Sequence, residues 1–323
     1  MSPDERFMAA AVAIGSRGRG RTAPNPNVGA LIVRHGRVIG RGWCQPGGRP
    51  HAEAMALAEA GAAARGATCY TTLEPCAHQS LRGPACSSLL IEAGVTRVVG
   101  GLVDPDPRTA GEGYARLRAT GIDVTDGVLA GDCARSIEGF LTRRRFGRPH
   151  VTLKLATSLD GRIALTDGTS RWITGDAARA HAHLERARCE MIVVGRATLA
   201  ADAPRLDVRL AGLEARSPRR AVLTRGRTPE GWEPLPSPAA VASTDNVDHI
   251  LVEGGAGAAA AFLAADLVDR LLLYRAPIVI GAGLAAIGDI GLTDLAAAHG
   301  RWRIADARTL GSDRLEVYER QRS

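Results

Sequence analysis

The chain has 323 residues, of which 45% are hydrophobic and 23% are charged, values ordinary for a globular protein. This length is enough for two domains with a core each, and no apolar run reaches the roughly 18 residues needed to cross a membrane. The formal charge of +7 favours anionic partners, but only 4% of residues are aromatic, which argues against a surface on which nucleic-acid bases stack.

The first residues predict a helix rather than a secretory signal. Ser2 is a good N-cap, Pro3 suits a first helical position, and Asp4 and Glu5 favour a first turn, whereas a signal peptide starts with basic residues. We therefore expect a cytoplasmic protein. In that compartment the six cysteines serve as metal ligands or core residues instead of forming disulfides.

Residues 1–148 alternate helical and extended patterns, which predicts α/β layers with a largely parallel sheet. After a helix over 4–18, two strands flank a His-Gly turn in NVGALIVRHGRVIGRGW. The later predicted elements are, in order, the helix HAEAMALAEAGAAARG, the strand ATCYTTL, the helix ACSSLLIEAG, the strand VTRVVGGLVD, the helix GEGYARLRATG and the strand IDVTDGVL. The basic segment RRRFGRPH is expected to be a linker.

Four residues of this half have the chemistry of a catalytic zinc site. His51, Cys76 and Cys86 offer one nitrogen and two sulfurs, and catalytic zinc keeps three protein ligands and an open fourth position. Cys86 begins a predicted helix, whose N-terminus stabilises a thiolate. Glu53 follows His51 by two residues, so it can move protons at the metal without being a ligand. The pattern favours hydrolytic deamination.

The spacing of the two cysteines is unusual, because zinc deaminases commonly carry Pro-Cys-x-x-Cys. Here nine residues separate Cys76 from Cys86, and they are expected to form a loop over the substrate. A structural zinc site is the alternative, with Cys44 or His78 as the fourth ligand. Glu53 argues against it, since a structural site does not need that carboxylate.

The second half repeats the α/β alternation. Its predicted elements are the strand in VTLKLATSLDGRIA, a helix over 176–188, the strands MIVVG and RRAVLT, a Pro-rich loop over 228–238, the strand HILVEGG, the helix AGAAAAFLAADL, the strand VDRLLLYRAPIVIG and the hairpin RWRIADARTLGSDRLEVYER. The glycine turn in VEGGAGAAAAF lets backbone N–H groups approach a phosphate at a helix N-terminus. Lys154 is the only lysine among 41 basic residues, which makes it the first functional candidate of this half.

Several segments resemble one known family. PNPNVGALIV, RPHAEAMAL, TLEPCAH and CSSLLIEAGVTRVVGGLVDPDP resemble the deaminase half of the bifunctional deaminase–reductase family of riboflavin biosynthesis. VTLKLATSLDGRIA, SRWIT, LERARCEMIVVGRATLAADAPRLDVR and HILVEGGAGAAAAFL resemble its reductase half. The resemblance implies an α/β protein with a cytidine-deaminase-like zinc domain over 1–148 and a dihydrofolate-reductase-like domain over 149–323. Such an enzyme deaminates a diaminohydroxyphosphoribosylaminopyrimidine and then reduces its ribose with NADPH.

The resemblance also implies the cofactors, the partners and most of the site residues. Zinc and NADPH are the implied cofactors, the substrate is a phosphorylated small molecule, and a homo-oligomer that binds neither nucleic acid nor membrane is expected. Lys154 would be the catalytic residue of the reduction, beside the ribose, and Glu53 would be the catalytic residue of the deamination. Implied NADPH contacts are Ala156, Trp172, Thr198, Asp202, Gly255, Ala256, Gly257, Ala258, Ala259, Ala260 and Ala261. Implied substrate contacts are Asn25, Ser170, Arg186, Leu206, Arg209 and Glu253, and Arg82 is the candidate for the phosphate in the long loop.

Alternatives stay open for four of these residues. Asn25 can be a turn former beside proline, Trp172 a core aromatic and Asp202 a cap, and Arg186 can pair with acids of its own helix. Two rival functions also remain: a nucleic-acid deaminase with an accessory domain, and a zinc-stabilised binding protein without catalysis whose reductase half has decayed. A deaminase-only enzyme is the intermediate case.

The chain departs from the family pattern in three places. CAHQSLRGPAC is one residue longer and lacks Thr-Pro-Pro, and Cys44 stands where the family has histidine. The segment 225–247 is shorter, so the preference for NADPH follows from the resemblance alone.

Overall fold

The computed structural model describes residues 1–78 and 83–322. They form two compact units, one from Met1 to Gly147 and one from Arg148 onwards. Gly147, with φ of +68°, ends the last helix of the first unit, one residue before the expected boundary. In these described ranges, no helix has the length and apolar composition that a membrane span requires.

The first unit is built on a five-stranded sheet. Its elements are α1 (Pro3–Gly15), β1 (Gly29–Arg34), β2 (Arg37–Trp43), α2 (Ala52–Ala60), β3 (Thr68–Thr71), α3 (Cys86–Ala93), β4 (Arg97–Gly100), α4 (Glu112–Ala119), β5 (Asp123–Thr125), α5 (Ala130–Ser136) and α6 (Glu138–Phe146). The strand order is β2-β1-β3-β4-β5. β1 is antiparallel to both β2 and β3, so the expectation of a largely parallel sheet is wrong here. The cause is the tight turn at His35 and Gly36, both with positive φ, which folds β2 back on β1.

The basic segment RRRFGRPH is not a linker, contrary to the prediction. Arg143 to Phe146 complete α6, and His150 begins the first strand of the second unit. α6 buries Phe140, and its last turn carries three arginines, which complement the negative end of the helix dipole. The basic run thus stabilises a helix end.

α2 packs directly on β2 because two glycines leave room for its backbone. A Cβ atom on Gly42 would lie 1.9 Å from the carbonyl oxygen of Ala52, and one on Gly40 would lie 2.1 Å from that of Ala56. Both alanines are fully buried. The close approach fixes the N-terminal end of α2, where His51 and Glu53 lie.

Gly42→Ala is therefore expected to push α2 away from β2 and to destabilise the first unit by about 1–3 kcal/mol. We also expect a lower zinc content, because His51 moves with the helix. Both effects can be measured by thermal unfolding and metal analysis. Gly131→Ala on α5 is the matched control, since its Cβ would meet only the Arg135 side chain, at 3.6 Å. Unchanged stability and zinc content in Gly42→Ala would contradict the prediction.

The second unit is built on an eight-stranded sheet. Its elements are β6 (His150–Thr157), β7 (Arg162–Ala164), α7 (Asp176–Arg186), β8 (Met191–Gly195), α8 (Arg196–Asp202), β9 (Arg219–Leu223), β10 (Trp232–Leu235), β11 (His249–Glu253), α9 (Ala256–Ala264), β12 (Arg270–Arg275), β13 (Leu284–Ala285), β14 (Trp302–Leu310) and β15 (Asp313–Arg320). The order is β10-β9-β8-β11-β6-β12-β15-β14, and β7 pairs separately with β13. The strands from β10 to β12 are parallel, so their carboxyl ends meet at one edge.

Two parts of this unit differ from the prediction. The Pro-rich loop over 228–238 contains β10, which forms the sheet edge and pairs with β9. An edge strand tolerates Pro234, which lacks an N–H group for a second neighbour. The short helix α8 was not predicted, because RATLAAD is too short to show a helical period.

Candidate active sites

His51, Cys76 and Cys86 meet in the first unit where two helices begin. His51 directly precedes α2, and Cys86 is the first residue of α3. The Nδ1 atom of His51 lies 3.7 Å from Sγ of Cys76 and 3.4 Å from Sγ of Cys86. A tetrahedral zinc ion would separate such nitrogen and sulfur ligands by about 3.5 Å. The three side chains therefore fit zinc.

The two proposed fourth ligands have other contacts. Sγ of Cys44 lies 3.3 Å from the carbonyl oxygen of Gly48, and Nδ1 of His78 lies 3.3 Å from Oγ1 of Thr109. Within the described residues, neither belongs to the cluster of ligand atoms, which lie within 4.8 Å of one another. Three protein ligands with an open position are typical of a catalytic site, so the geometry disfavours the structural alternative.

The thiols of Cys76 and Cys86 have pKa values shifted in opposite directions. A hydrogen bond from the Cys86 side chain lowers the pKa of the Cys76 thiol to about 4, and the pKa of the donating Cys86 thiol is raised in turn. The backbone N–H of Cys86 also donates to Sγ of Cys76, at 3.3 Å. Thiolate is the form that binds metal, so Cys76 is prepared to act as a ligand.

Glu53 lies in the first turn of α2 and borders the same cavity as His51 and Cys76. Only 3% of its surface is exposed, and burial raises its pKa. A carboxyl group beside the reacting atoms can both accept and return a proton. Glu53 therefore has the position and the chemistry of a proton carrier at the metal cluster.

The cavity beside the cluster has a volume of about 230 Å³. Glu74 shapes one wall, because its carboxylate accepts hydrogen bonds from the backbone N–H groups of Asp104, Gly111, Gly113 and Tyr114. These bonds fix the loop from β4 to α4, which brings Asp104 to the cavity. Asp104 could not be singled out from the sequence, where it is only an acid that follows a predicted strand.

Asn25 borders this cavity and contacts the predicted metal ligand. Its Nδ2 atom donates to the carbonyl oxygen of Gly48 at 3.0 Å and lies 3.2 Å from Nε2 of His51. That nitrogen is on the side of the ring opposite the thiols. Asn25 thus does more than form a turn. The phosphate candidate Arg82 lies outside the described residues.

The second unit has a larger cavity, of about 830 Å³, at the carboxyl ends of the parallel strands. Lining residues that the sequence predicted are Lys154, Ala156, Ser170, Trp172, Arg186, Thr198, Asp202, Arg209, Glu253, Gly255, Ala256, Gly257 and Ala258. Ala259, Ala260 and Ala261 lie further along α9 and are not among them. Leu206 is also absent, because its side chain is buried in an apolar cluster with Ile192 and Leu251.

Lys154, Glu253 and Arg186 form an ion-pair network in this cavity. Nε and Nη2 of Arg186 donate to the Glu253 carboxylate at 2.7 and 2.8 Å, and Nζ of Lys154 lies 3.8 Å from Oε2. Burial opposes ionisation of Glu253, but Lys154 and Arg186 outweigh it and hold its pKa at about 2. The alternative that Arg186 pairs on its own helix is therefore wrong. Glu253 holds the Lys154 ammonium in place.

The glycine turn between β11 and α9 suits a phosphate group. Gly254 and Gly255 have φ of +120° and +30°, and a Cβ on Gly255 would lie 2.7 Å from Oγ1 of Thr198. Only glycine leaves space there, so backbone N–H groups remain open to a ligand at the start of α9. Together with the volume of the cavity, this turn fits a dinucleotide.

Trp172 is 67% exposed at the cavity, with the Arg179 guanidinium 4.7 Å from its ring centre, so the core-aromatic alternative is wrong. Asp202 is the last residue of α8, and its Oδ1 lies 3.8 Å from Nη2 of Arg171. Arg196 also lines the cavity, and the sequence analysis missed it. Its signal was an arginine directly after the strand MIVVG, two positions before Thr198.

Comparison with known proteins gives matches to both units. Residues 1–102 match the family model of the cytidine and deoxycytidylate deaminase zinc-binding region, and residues 149–233 and 239–315 match that of the RibD C-terminal domain. The riboflavin biosynthesis protein RibD of Escherichia coli is 38% identical, over 96% of this chain and 97% of that protein. RibD of Mycobacterium tuberculosis is 40% identical, over 92% and 91%.

Solved structures of similar proteins match nearly the whole chain. Form 1 of Acinetobacter baumannii RibD has a TM-score of 0.88 at 34% identity, covering 99% of both chains. A diaminohydroxyphosphoribosylaminopyrimidine deaminase/5-amino-6-(5-phosphoribosylamino)uracil reductase from Thermotoga maritima has a TM-score of 0.88 at 33% identity, also covering 99% of both chains.

Proposed function

Because the chain belongs to the RibD family of bifunctional deaminase–reductases, we propose that it catalyses two successive steps of riboflavin biosynthesis. The first unit deaminates the phosphoribosylated diaminopyrimidine, and the second reduces the ribosyl group of the product with NADPH. The three-ligand cluster with the buried Glu53 beside it is the observation that carries this proposal. A structural metal site would need neither the open position nor the carboxylate.

In deamination, His51, Cys76 and Cys86 would hold zinc, which would act as a Lewis acid toward water. Glu53 is placed to accept a proton from the attacking water and to deliver one to the departing amino group, so that ammonia leaves as a neutral molecule. Its buried position suits this exchange, because burial raises the pKa of the carboxyl and so favours its protonated form more than in an exposed glutamate. Asn25 holds the His51 ring from the side opposite the thiols.

In reduction, NADPH bound in this cavity would supply the hydride that reduces the aldehyde carbon of the open-chain ribose. The aldehyde oxygen would then gain negative charge. Lys154, held by Glu253, places its ammonium beside that oxygen and supplies the proton that completes the alcohol. Arg209 is half exposed at the same cavity, where its Nη1 donates to Oδ1 of Asp207 at 2.6 Å, and we propose that its remaining N–H groups bind the substrate phosphate. The guanidinium of Arg186 is more fully occupied, by Glu253 and the carbonyl oxygen of Asp207.

The two rival functions explain less of the molecule. A nucleic-acid deaminase has no use for the cavity around Lys154, and a binding protein has no use for Glu53. The six cysteines are buried and free of disulfides, which fits the reducing cytoplasm we propose as the site of both reactions. We also propose a homo-oligomer, as the resemblance implies.

The test uses purified, zinc-loaded protein with the phosphoribosylated diaminopyrimidine, in the presence and absence of NADPH. Ammonia release and NADPH oxidation are followed separately. We expect ammonia in both samples and oxidation only after deamination. Ammonia without oxidation would contradict the reductase half, and no ammonia would contradict the substrate assignment and implicate Cys44 and the long loop.

A further inference from the structure

The cavity of the second unit continues past the glycine turn to the carboxyl ends of β8 and β9. Gly195 ends β8, Arg196 follows it, and Leu223 ends β9, and all three line the cavity. The strand order β9-β8-β11-β6 places them on one side of the glycine turn and Lys154 on the other. The cavity therefore has two distinguishable ends.

The proposed function, on which this inference rests, assigns a direction to a dinucleotide in the cavity. The nicotinamide must lie next to the ribose that it reduces, which is the end of Lys154. The pyrophosphate suits the glycine turn after β11. Neighbouring strands are about 4.8 Å apart, so β9 lies roughly 14 Å from β6, a distance that an extended dinucleotide spans. The adenosine consequently falls at the end formed by β8 and β9.

That end of the cavity is basic. Arg196 is exposed, and within the described part of the chain its guanidinium makes no hydrogen bond or ion pair. Its Nη1 lies 3.8 Å from the position of a Cβ on Gly226, so it reaches the loop after β9. This loop, TRGRT over 224–228, contains the exposed Arg225 and Arg227 and no acid, although neither arginine lines the cavity itself. Among the cavity-lining residues that precede this loop in the sequence, the nearest acid is Asp202, and it is paired with Arg171.

NADPH differs from NADH only by a phosphate on the 2′-oxygen of the adenosine ribose. Enzymes that prefer NADH commonly place an acid at that oxygen, whereas arginine accommodates the phosphate in enzymes that prefer NADPH. We propose that Arg196 binds the 2′-phosphate of NADPH and makes the second unit selective for NADPH over NADH. Arg225 and Arg227 raise the positive potential around it. The shortened segment 225–247 is then not required to supply the main contact.

The test measures binding of two fragments that differ only in this phosphate, 2′-phospho-ADP-ribose and ADP-ribose, to the full-length protein by calorimetry. The wild type is expected to bind the phosphorylated fragment more tightly. Arg196→Gln should raise the Kd of 2′-phospho-ADP-ribose by about 10- to 100-fold and leave that of ADP-ribose unchanged. Arg196→Lys should restore part of the difference, since it keeps the charge.

Arg301→Gln is the matched control, because Arg301 is also exposed but precedes β14, at the opposite edge of the sheet. It should bind both fragments as the wild type does. An equal loss for both fragments in Arg196→Gln, or no loss for either, would overturn the inference. The protein could also bind 2′-phospho-ADP-ribose more tightly than ADP-ribose in a way that depends on Arg196, yet reduce no pyrimidine product. That result would support the inference about Arg196 and contradict the reductase proposal.

Discussion

Glu53→Gln is expected to lower the rate of ammonia release by about 10²- to 10⁴-fold, the usual contribution of a positioned general acid–base group. Glutamine has nearly the same shape but cannot exchange a proton. It also fits the same buried position in the first turn of α2, where Glu53 borders the cavity without joining the ligand cluster. The variant should therefore keep its zinc and its stability while losing deamination.

Three measurements on the Glu53→Gln protein separate this role from a structural one. Metal analysis should find the zinc content of the wild type, and thermal unfolding should be unchanged or slightly higher, since a buried carboxyl is replaced by a neutral amide. Reduction of an already deaminated substrate should proceed normally. Loss of zinc together with activity would instead make Glu53 a metal ligand or a support for one, and normal ammonia release would remove it from the mechanism.

The metal cluster could be predicted from the sequence because its chemistry is local. His51 and Cys86 each stand where a helix begins, a feature visible from proline, alanine runs and glycine stops. The metal cluster could be predicted despite the long interval between the cysteines, because zinc selects its ligands by their chemistry and not by their spacing in the sequence. The wall formed around Glu74 was not predictable, because its hydrogen bonds join residues about thirty to forty positions apart.

In the second unit, less of the site could be predicted from the sequence. Its strands were recognisable as short apolar runs, but their order in the sheet depends on packing between distant segments, which leaves no local pattern. That order alone separates Lys154 from Arg196 across the glycine turn. The ion pair between Arg186 and Glu253 could likewise not be predicted, because 67 positions separate the two residues in the sequence. The sequence thus predicted individual residues of this site, but only the fold shows that the cavity has two distinguishable ends.

Lys154→Met is expected to lower NADPH-dependent reduction by about 10²- to 10³-fold and to leave ammonia release unchanged, because Lys154 belongs to the second unit. Methionine matches the length of the side chain but carries neither charge nor proton. The bidentate pair between Arg186 and Glu253 remains, so the carboxylate is still compensated and the unit should stay folded. Single-turnover oxidation of NADPH with the deaminated substrate measures the effect.

The comparison with Lys154→Arg identifies which property of the lysine matters. Arginine keeps the positive charge beside Glu253 but releases a proton far less readily, because its pKa is higher. If Lys154 only orients the ribose through its charge, Lys154→Arg should retain most of the reduction. If it delivers the proton to the aldehyde oxygen, as we propose, Lys154→Arg should fall nearly as low as Lys154→Met, with nucleotide binding unchanged in both. Normal reduction in Lys154→Met would remove this residue from the reaction, although it is the one lysine in the chain.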